Sequence, residues 1–194
     1  MNKMLDAIMN KLLQRGFVND ENAEIVRFGL ELIIMKVVIS TAMIVVAVAL
    51  NSVPEVLVFM AVYAPLRSNC GGYHSRSRIA CFFSSIILLT AVITAIKLIQ
   101  DRGSVYFTAA FLCTGTVLIL ILAPVDTWTK PFDSVERVVF RRRSLIATAA
   151  ALIISSALAV FGLQNLALSA SCAVLMTGAM LAAGRLANKK GAVT

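Results

Sequence analysis

Long apolar runs alternate with short polar segments along this chain, and the pattern predicts six membrane-spanning helices. The apolar core of a bilayer is about 30 Å thick and requires about 20 residues of helix. The apolar runs lie at 32–50, 53–66, 79–99, 104–123, 145–162 and 164–183. The second run is short. Its helix therefore continues into the polar segment that follows, or that segment itself enters the protein.

An amphipathic helix is predicted before the first span. In residues 1–15 apolar side chains such as Leu5, Ile8 and Leu12 recur at helical spacing, with polar side chains between them. Gly16 follows as a suitable C-cap. The segment 1–20 is too polar to span, so we expect it to lie in the membrane interface or to pack on one end of the bundle. Residues 188–194 are expected to form a flexible tail.

The composition supports a membrane protein. Of the 194 residues, 59% are hydrophobic and only 14% are charged, which is too apolar for a soluble domain of this size. We predict an all-α integral membrane protein with six transmembrane helices and an N-terminal amphipathic helix, folded as a single domain over 1–194. The four cysteines lack the spacing of a disulfide framework. Cys113 and Cys172 lie within apolar spans and are expected to be buried thiols.

The net charge of +8 indicates how the chain is oriented in the membrane. Most of the 18 Lys and Arg residues fall on one side of the six spans if the N-terminus lies inside. The positive-inside rule then predicts that both termini are cytoplasmic. Basic residues are not interleaved with aromatic ones, so we predict a lipid bilayer and no nucleic acid as partner.

The polar segment from Arg67 to Cys81 carries the candidate chemistry. His74 is the single histidine and lies seven residues before Cys81. An imidazole can take the proton of a thiol and so produce the nucleophilic thiolate. The pair predicts a cysteine peptidase or acyl-transfer enzyme at a membrane surface. Positions seven apart on a continuous helix are separated by about 10.5 Å, so the loop must fold back for His74 to reach Cys81.

Two adjacent glycines, Gly71 and Gly72, interrupt this segment. They cost about 2 kcal/mol in a helix interior relative to alanine, so we expect a helix break here. They also permit a tight turn or a close approach of the substrate backbone. Arg67 and Asn69 supply hydrogen-bond donors beside the turn. Asn69 and the backbone N–H groups of the glycines or of the following helix are candidate oxyanion donors.

Other interpretations of the segment stay open on the residues alone. Cys70 is a rival nucleophile, four residues before His74. Cys70, His74 and Cys81 could also ligate zinc, but the spacing matches no familiar zinc pattern and no fourth ligand stands out, so we predict no metal and no cofactor. His74 could equally be a polar loop residue and Cys81 a packed thiol.

The segment resembles the accessory gene regulator B (AgrB) family of membrane cysteine endopeptidases. The matching pattern is Arg67, then Gly71-Gly72-Tyr73-His74, then Cys81. A second similarity is Ala123-Pro124-Val125-Asp126 followed by Lys130-Pro131, which is similar to the family's loop after the fourth span. Length, six-span layout and basic loops agree across nearly the whole chain.

The resemblance implies a function in quorum sensing. AgrB-like enzymes of the bacterial cell membrane cleave a small AgrD-type precursor, remove its acidic C-terminal region and help form a thiolactone or lactone autoinducing peptide. The family's catalytic histidine and cysteine map onto His74 and Cys81, and its motif arginine and glycine onto Arg67 and Gly72. The implied partners are an AgrD-like precursor and the bilayer.

Two further expectations concern partners. The basic side chains near the polar segment and in the loop before the fifth span have two possible roles. They would attract an acidic peptide tail, or they would hold the membrane orientation of the chain and contact anionic lipid. These residues are Arg67, Arg76, Arg78 and the run Arg141 to Arg143, and for the run we favour the role in orientation and lipid contact. Small residues in the last two spans suit a homodimer. The competing class of function is a non-catalytic multi-pass peptide exporter or scaffold, which predicts that Cys81→Ala retains function.

Overall fold

The computed structural model describes residues 2–19, 22–72, 78–99, 104–125 and 133–191. These residues form seven helices and no named strand. The helices are α1 (Asn2–Gln14), α2 (Ala23–Ala49), α3 (Val53–Cys70), α4 (Arg78–Ile99), α5 (Ser104–Leu122), α6 (Ser134–Val160) and α7 (Gln164–Gly191).

The predicted all-α membrane architecture is confirmed. By length and composition, α2, α4, α5, α6 and α7 could each cross a membrane. The second predicted span, 53–66, corresponds to α3, which has 18 residues and does not reach the hydropathy of these five helices. Pro54 and Glu55 lie in its first turn and Arg67 in its last. The helix continues past the predicted end at 66 as far as Cys70, which was one of the two alternatives for this short span.

The chain divides into two compact units, Met1–Val45 and Val46–Thr194. In the first unit, α1 is amphipathic as predicted, since Leu5 and Met9 are buried while Asp6 and Lys11 are exposed. Gly16 caps α1 with a positive φ of 70°. A partly exposed ion pair of 2.8 Å joins the Arg27 guanidinium to the Asp6 carboxylate. An interfacial position for 1–20 and a single domain for 1–194 stay predictions.

In the second unit, α7 is the central helix and packs against α3, α5 and α6. Residues 167–174 of α7 are all buried. The contact with α5 is close because small residues bring the two backbones together. A Cβ atom at Gly115 would lie 2.7 Å from the Leu175 nitrogen, and one at Gly178 would lie 2.8 Å from the Leu118 Cβ. These small residues therefore pack within the chain, and the predicted homodimer stays a prediction.

The directions of the helices place several helix ends together. Near the start of α7, the Ser169 hydroxyl donates a hydrogen bond of 2.6 Å to the Glu55 carbonyl at the start of α3. Three turns further along α7, the Met180 carbonyl lies against Gly72, just after α3. The C-terminal ends of α3, α5 and α7 and the N-terminal part of α6 therefore lie at one end of this unit, here called the site end.

One predicted boundary is wrong. The fifth predicted span, expected to begin at 145, belongs to a helix that begins at Ser134, α6. A capping box begins this helix: the Asp133 carboxylate accepts a hydrogen bond of 2.7 Å from the Ser134 N–H, and the Glu136 carboxylate accepts one from the Asp133 N–H. The run Arg141 to Arg143 consequently lies on a helix. At the other end of the chain, α7 extends to Gly191, and a flexible tail over 188–194 stays a prediction.

The cysteines are all described and all free. Cys172 is buried, as predicted. The prediction for Cys113 is wrong, because this residue is exposed on the surface of α5. An exposed thiol on an apolar helix is compatible with contact to lipid, since the helix surface in a bilayer meets hydrocarbon rather than water.

Candidate functional site

The site begins where α3 ends. Gly71 and Gly72 have positive φ angles of 76° and 109°, which confirms the predicted helix break. The backbone then pairs with the segment after α5. The Val125 N–H donates a hydrogen bond of 3.0 Å to the Cys70 carbonyl, and the Gly72 N–H donates one of 3.4 Å to the Val125 carbonyl. This short parallel bridge ties the polar segment to the end of α5.

Both glycines are required by space as well as by φ. A Cβ atom at Gly71 would lie 2.1 Å from the Val125 carbonyl oxygen. One at Gly72 would lie 2.7 Å from Arg67 Nη1 and 2.9 Å from the Met180 carbonyl oxygen. Only glycine allows the backbones of α3, α7 and the 125 segment to approach this closely.

Arg67 closes the last turn of α3. It lies one helical turn before Gly71, and its Nη1 donates a hydrogen bond to the Gly71 carbonyl. The Arg67 guanidinium also donates to the Tyr63 hydroxyl. A cation at a helix C-terminus is stabilised by carbonyl groups that lack intrahelical partners. Arg67 therefore fixes the position of the glycine turn.

Cys81 lies in the first turn of α4, as the sequence predicts for the start of the third span. Its side chain is partly buried. The Cys81 thiol and the Arg67 guanidinium both act electrostatically on the Tyr63 hydroxyl. Ser84 and Ser85 donate hydrogen bonds of 3.0 and 2.8 Å to the Cys81 carbonyl.

Cys70 has a different environment. It lies beyond the predicted span 53–66, and none of its surface is exposed. Burial raises the pKa of the Cys70 thiol to about 12, and the Arg67 charge lowers it by a smaller amount. A buried thiol with a raised pKa stays neutral near pH 7 and is a poor nucleophile. Of the two cysteines in the polar segment, Cys81 is the more accessible.

The remaining predicted residues are placed as follows. His74 lies outside the described residues, as do Asp126, Lys130 and Pro131 of the second motif, so the distance from His74 to Cys81 stays a prediction. The Asn69 side-chain amide donates a hydrogen bond of 2.7 Å to the Pro65 carbonyl, one turn back in its own helix. The structure thus brings Arg67, Gly71 and Gly72 together, with Cys81 nearby, and holds the Asn69 amide on α3.

Sequence reasoning missed Tyr63, the pairing of Val125 with Gly71 and the carbonyl partners of Arg141. The Arg141 guanidinium donates hydrogen bonds to the Leu120 carbonyl, at 2.9 Å, and to the Ala123 carbonyl. It therefore attaches α6 to the segment that carries Val125. The capping signature at Asp133 could have placed Arg141 on a helix, but no local pattern indicates which carbonyl groups it binds.

Within the described part of the chain, no group of three or more His, Cys, Asp or Glu side chains could hold a metal ion. Because His74 lies outside that part, the predicted absence of a metal and of a cofactor stays a prediction.

These features define a multi-pass helical membrane protein with a glycine turn, an arginine and a helix-start thiol gathered at one end. The family model described as "AgrB: Accessory gene regulator B" matches residues 3–181, and the chain belongs to this family. The resemblance found in the sequence is therefore confirmed. No curated protein and no solved structure matches the chain. Family membership supports a role in agr quorum-sensing peptide processing, with an AgrD-like precursor as the partner and a membrane as the setting.

Proposed function

We propose that this protein is a membrane cysteine endopeptidase that cleaves an AgrD-like precursor and promotes formation of a cyclic autoinducing peptide. Cys81 is the nucleophile and His74 the general base. One observation carries the proposal: the Cys81 thiol lies only partly buried in the first turn of α4, whereas the rival thiol of Cys70 is fully buried.

The chemistry follows from these two roles. His74 takes the thiol proton, and the Cys81 sulfur attacks a peptide carbonyl carbon of the precursor. The peptide C–N bond breaks, His74 returns the proton to the leaving amine, and the acyl group remains on sulfur as a thioester. An internal thiol or hydroxyl of the precursor then attacks this thioester. That step forms the thiolactone or lactone and regenerates the Cys81 thiol.

The position of His74 is supported by covalent connectivity. Two residues of extended chain span at most about 7 Å, so His74 cannot lie far from Gly72. Gly72 is itself held by Val125 and packs against Arg67 and Met180. On the other side, Cys81 follows in the first turn of α4. The segment that contains His74 is therefore attached at one end to a well-packed turn and at the other to the start of α4.

The contacts at the turn suggest roles for the supporting residues. Arg67, Gly71 and Gly72 are positioning residues, since they fix the turn rather than touch the reacting atoms. The Gly72 N–H is bound to Val125, and the Asn69 amide is bound to Pro65. The start of α4 is then the candidate location of the oxyanion donors, because the positive end of a helix dipole stabilises a developing negative charge.

The charge distribution supports a cytoplasmic location for the site end, with both termini cytoplasmic. Arg67 lies there at the end of α3, and Arg137, Arg141 and Arg142 lie there at the start of α6. Arg185 lies there near the end of α7. Clusters of arginine at one end of a set of spanning helices follow the positive-inside rule.

The test is cleavage of a candidate precursor by the purified protein in liposomes, with mass spectrometry of the products and of the protein. Cys81→Ser and His74→Ala are expected to abolish cleavage. Cys70→Ser is expected to retain it, and Cys113→Ser serves as a cysteine control far from the turn. An acyl adduct should be found on Cys81 of the active protein.

Two outcomes would contradict the proposal. Loss of cleavage only in Cys70→Ser would move the nucleophile to Cys70. Unchanged function in both Cys81→Ala and His74→Ala would exclude the peptidase mechanism and favour the exporter or scaffold.

A further inference from the structure

A cavity of about 850 Å³ opens at the site end between the end of α5, the N-terminal part of α6 and the last turns of α7. No acidic side chain is among its described lining residues. Four arginines line it: Arg137, Arg141, Arg142 and Arg185. The cavity also touches Val125, on the segment that pairs with Gly71.

The hydrogen bonds of Arg141 do not neutralise its positive charge. Its guanidinium binds the carbonyl groups of Leu120 and Ala123, which are neutral acceptors. Arg142 and Arg185 are exposed. Guanidinium groups bind phosphate and carboxylate oxygens in bidentate geometry, so converging arginines favour an anionic ligand with several oxygens.

The other walls of the cavity are apolar. Ile121, Val138 and Leu145 contribute to them, and Ile121 and Val138 are more than half exposed. Leu145 lies one helical turn beyond the arginines on α6, toward the middle of a candidate membrane span. The ligand that fits therefore has an anionic head beside the arginines and a hydrocarbon part that follows the helices toward the bilayer interior.

We propose that this cavity binds an anionic phospholipid, with its phosphate against the arginines and an acyl chain along the apolar wall. Basic pockets between transmembrane helices are suited to such headgroups. A hydrophilic acidic peptide would satisfy the arginines but would leave the apolar wall without a partner. This inference goes beyond the proposed function and does not depend on it.

The chain offers a matched pair of variants for the test. Arg142 lines the cavity, whereas its neighbour Arg143, on the same helix and equally charged, does not. Purified full-length protein is equilibrated with mixed micelles of phosphatidylglycerol and phosphatidylcholine that carry the same acyl chains. Native mass spectrometry then counts the lipids retained by the wild type, by Arg142→Gln and by Arg143→Gln. Arg185→Gln is a second cavity variant in case Arg142→Gln does not fold.

The wild type should retain phosphatidylglycerol in preference to phosphatidylcholine. Arg142→Gln and Arg185→Gln should each weaken this retention about fivefold, the effect of one basic residue near an anionic lipid. Arg143→Gln should leave it unchanged. Equal losses in Arg142→Gln and Arg143→Gln would show only general surface charge and would overturn the proposal.

Two competitors test the nature of the ligand. If inorganic phosphate displaces phosphatidylglycerol at comparable concentrations, the acyl chain contributes nothing and the proposal is wrong. If hexaglutamate does so, the cavity is a peptide site instead. No cleavage is measured, so failure here is distinguishable from failure of the proposed function.

Discussion

Replacing Gly71 by alanine tests whether the glycine turn is needed for its packing or only for its backbone angle. The added Cβ would lie 2.1 Å from the Val125 carbonyl oxygen, at a φ of +76°. Gly162 provides a control, because its φ is +77° and, apart from its chain neighbours, nothing lies within 4 Å of the position of its Cβ. The two substitutions share a positive φ and differ in the steric contact.

The expected magnitudes follow from these contacts. A residue with a Cβ at positive φ costs about 1–3 kcal/mol. Gly71 lies outside the left-handed helical region, because its ψ is −141°. Val125 presents a backbone atom, which cannot rotate away, so the Gly71–Val125 bridge must separate in Gly71→Ala. Two backbone hydrogen bonds are then lost, each worth about 1 kcal/mol net. Gly71→Ala should therefore cost about 3–5 kcal/mol, of which about 2 kcal/mol is lost hydrogen bonding, and Gly162→Ala about 1–3 kcal/mol.

Hydrogen exchange measured by mass spectrometry resolves this difference locally. An excess of about 2 kcal/mol corresponds to an increase of about 30-fold in exchange at the Gly72 and Val125 amides of Gly71→Ala. The same amides should be unaffected in Gly162→Ala. Denaturant unfolding in mixed micelles gives the global cost. If both variants lose equal stability and show equal exchange at these amides, the packing argument is refuted.

Two other predictions concern helix packing and thiol reactivity. Gly115→Ala should cost about 1–3 kcal/mol by overpacking, because the new Cβ meets the Leu175 backbone at 2.7 Å. Gly29→Ala has nothing within 4 Å of its new Cβ and should stabilise its helix by up to about 1 kcal/mol. Thermal unfolding compares the stability of the two variants, and equal effects would contradict the close α5–α7 contact. At pH 8 a water-soluble alkylating reagent should label Cys81 and leave Cys70 unmodified, because burial holds the pKa of Cys70 at about 12. Rapid labelling of Cys70 in folded protein at pH 8 would exclude its burial. The Cys70 thiol loses its proton near pH 9 in the unfolded protein but retains it in the folded protein. The contribution of Cys70 to stability should therefore fall as the pH rises from about 9 to 12.

The helices could be predicted from the sequence where the apolar run and the helix coincide. This holds for α5, whose observed range, Ser104–Leu122, nearly equals the predicted 104–123. It fails for α6, because the first turns of this helix carry charged residues and lie outside the apolar run at 145–162. The signal that marks its start is the Asp133–Glu136 capping box, which depends on hydrogen bonds and not on hydropathy.

The candidate site could likewise be predicted from the sequence only in part. The break at Gly71-Gly72 follows from the helix propensity of glycine, and the location of Cys81 at a helix start follows from the onset of an apolar run. The pairing of Gly71 with Val125 joins residues far apart in the chain, and only the packed tertiary structure specifies it. The same holds for the hydrogen bonds from Arg141 to Leu120 and Ala123.

The central position of α7 also has a consequence for biosynthesis. Its partners α3, α5 and α6 all precede it in the chain, so they are synthesised and inserted before the helix that packs between them exists. Until then the Gly115 surface of α5 has no helix to meet, and Gly72 lacks the Met180 carbonyl. The site end is therefore completed only after the ribosome has passed residue 180, and a nascent chain that stops earlier cannot assemble it.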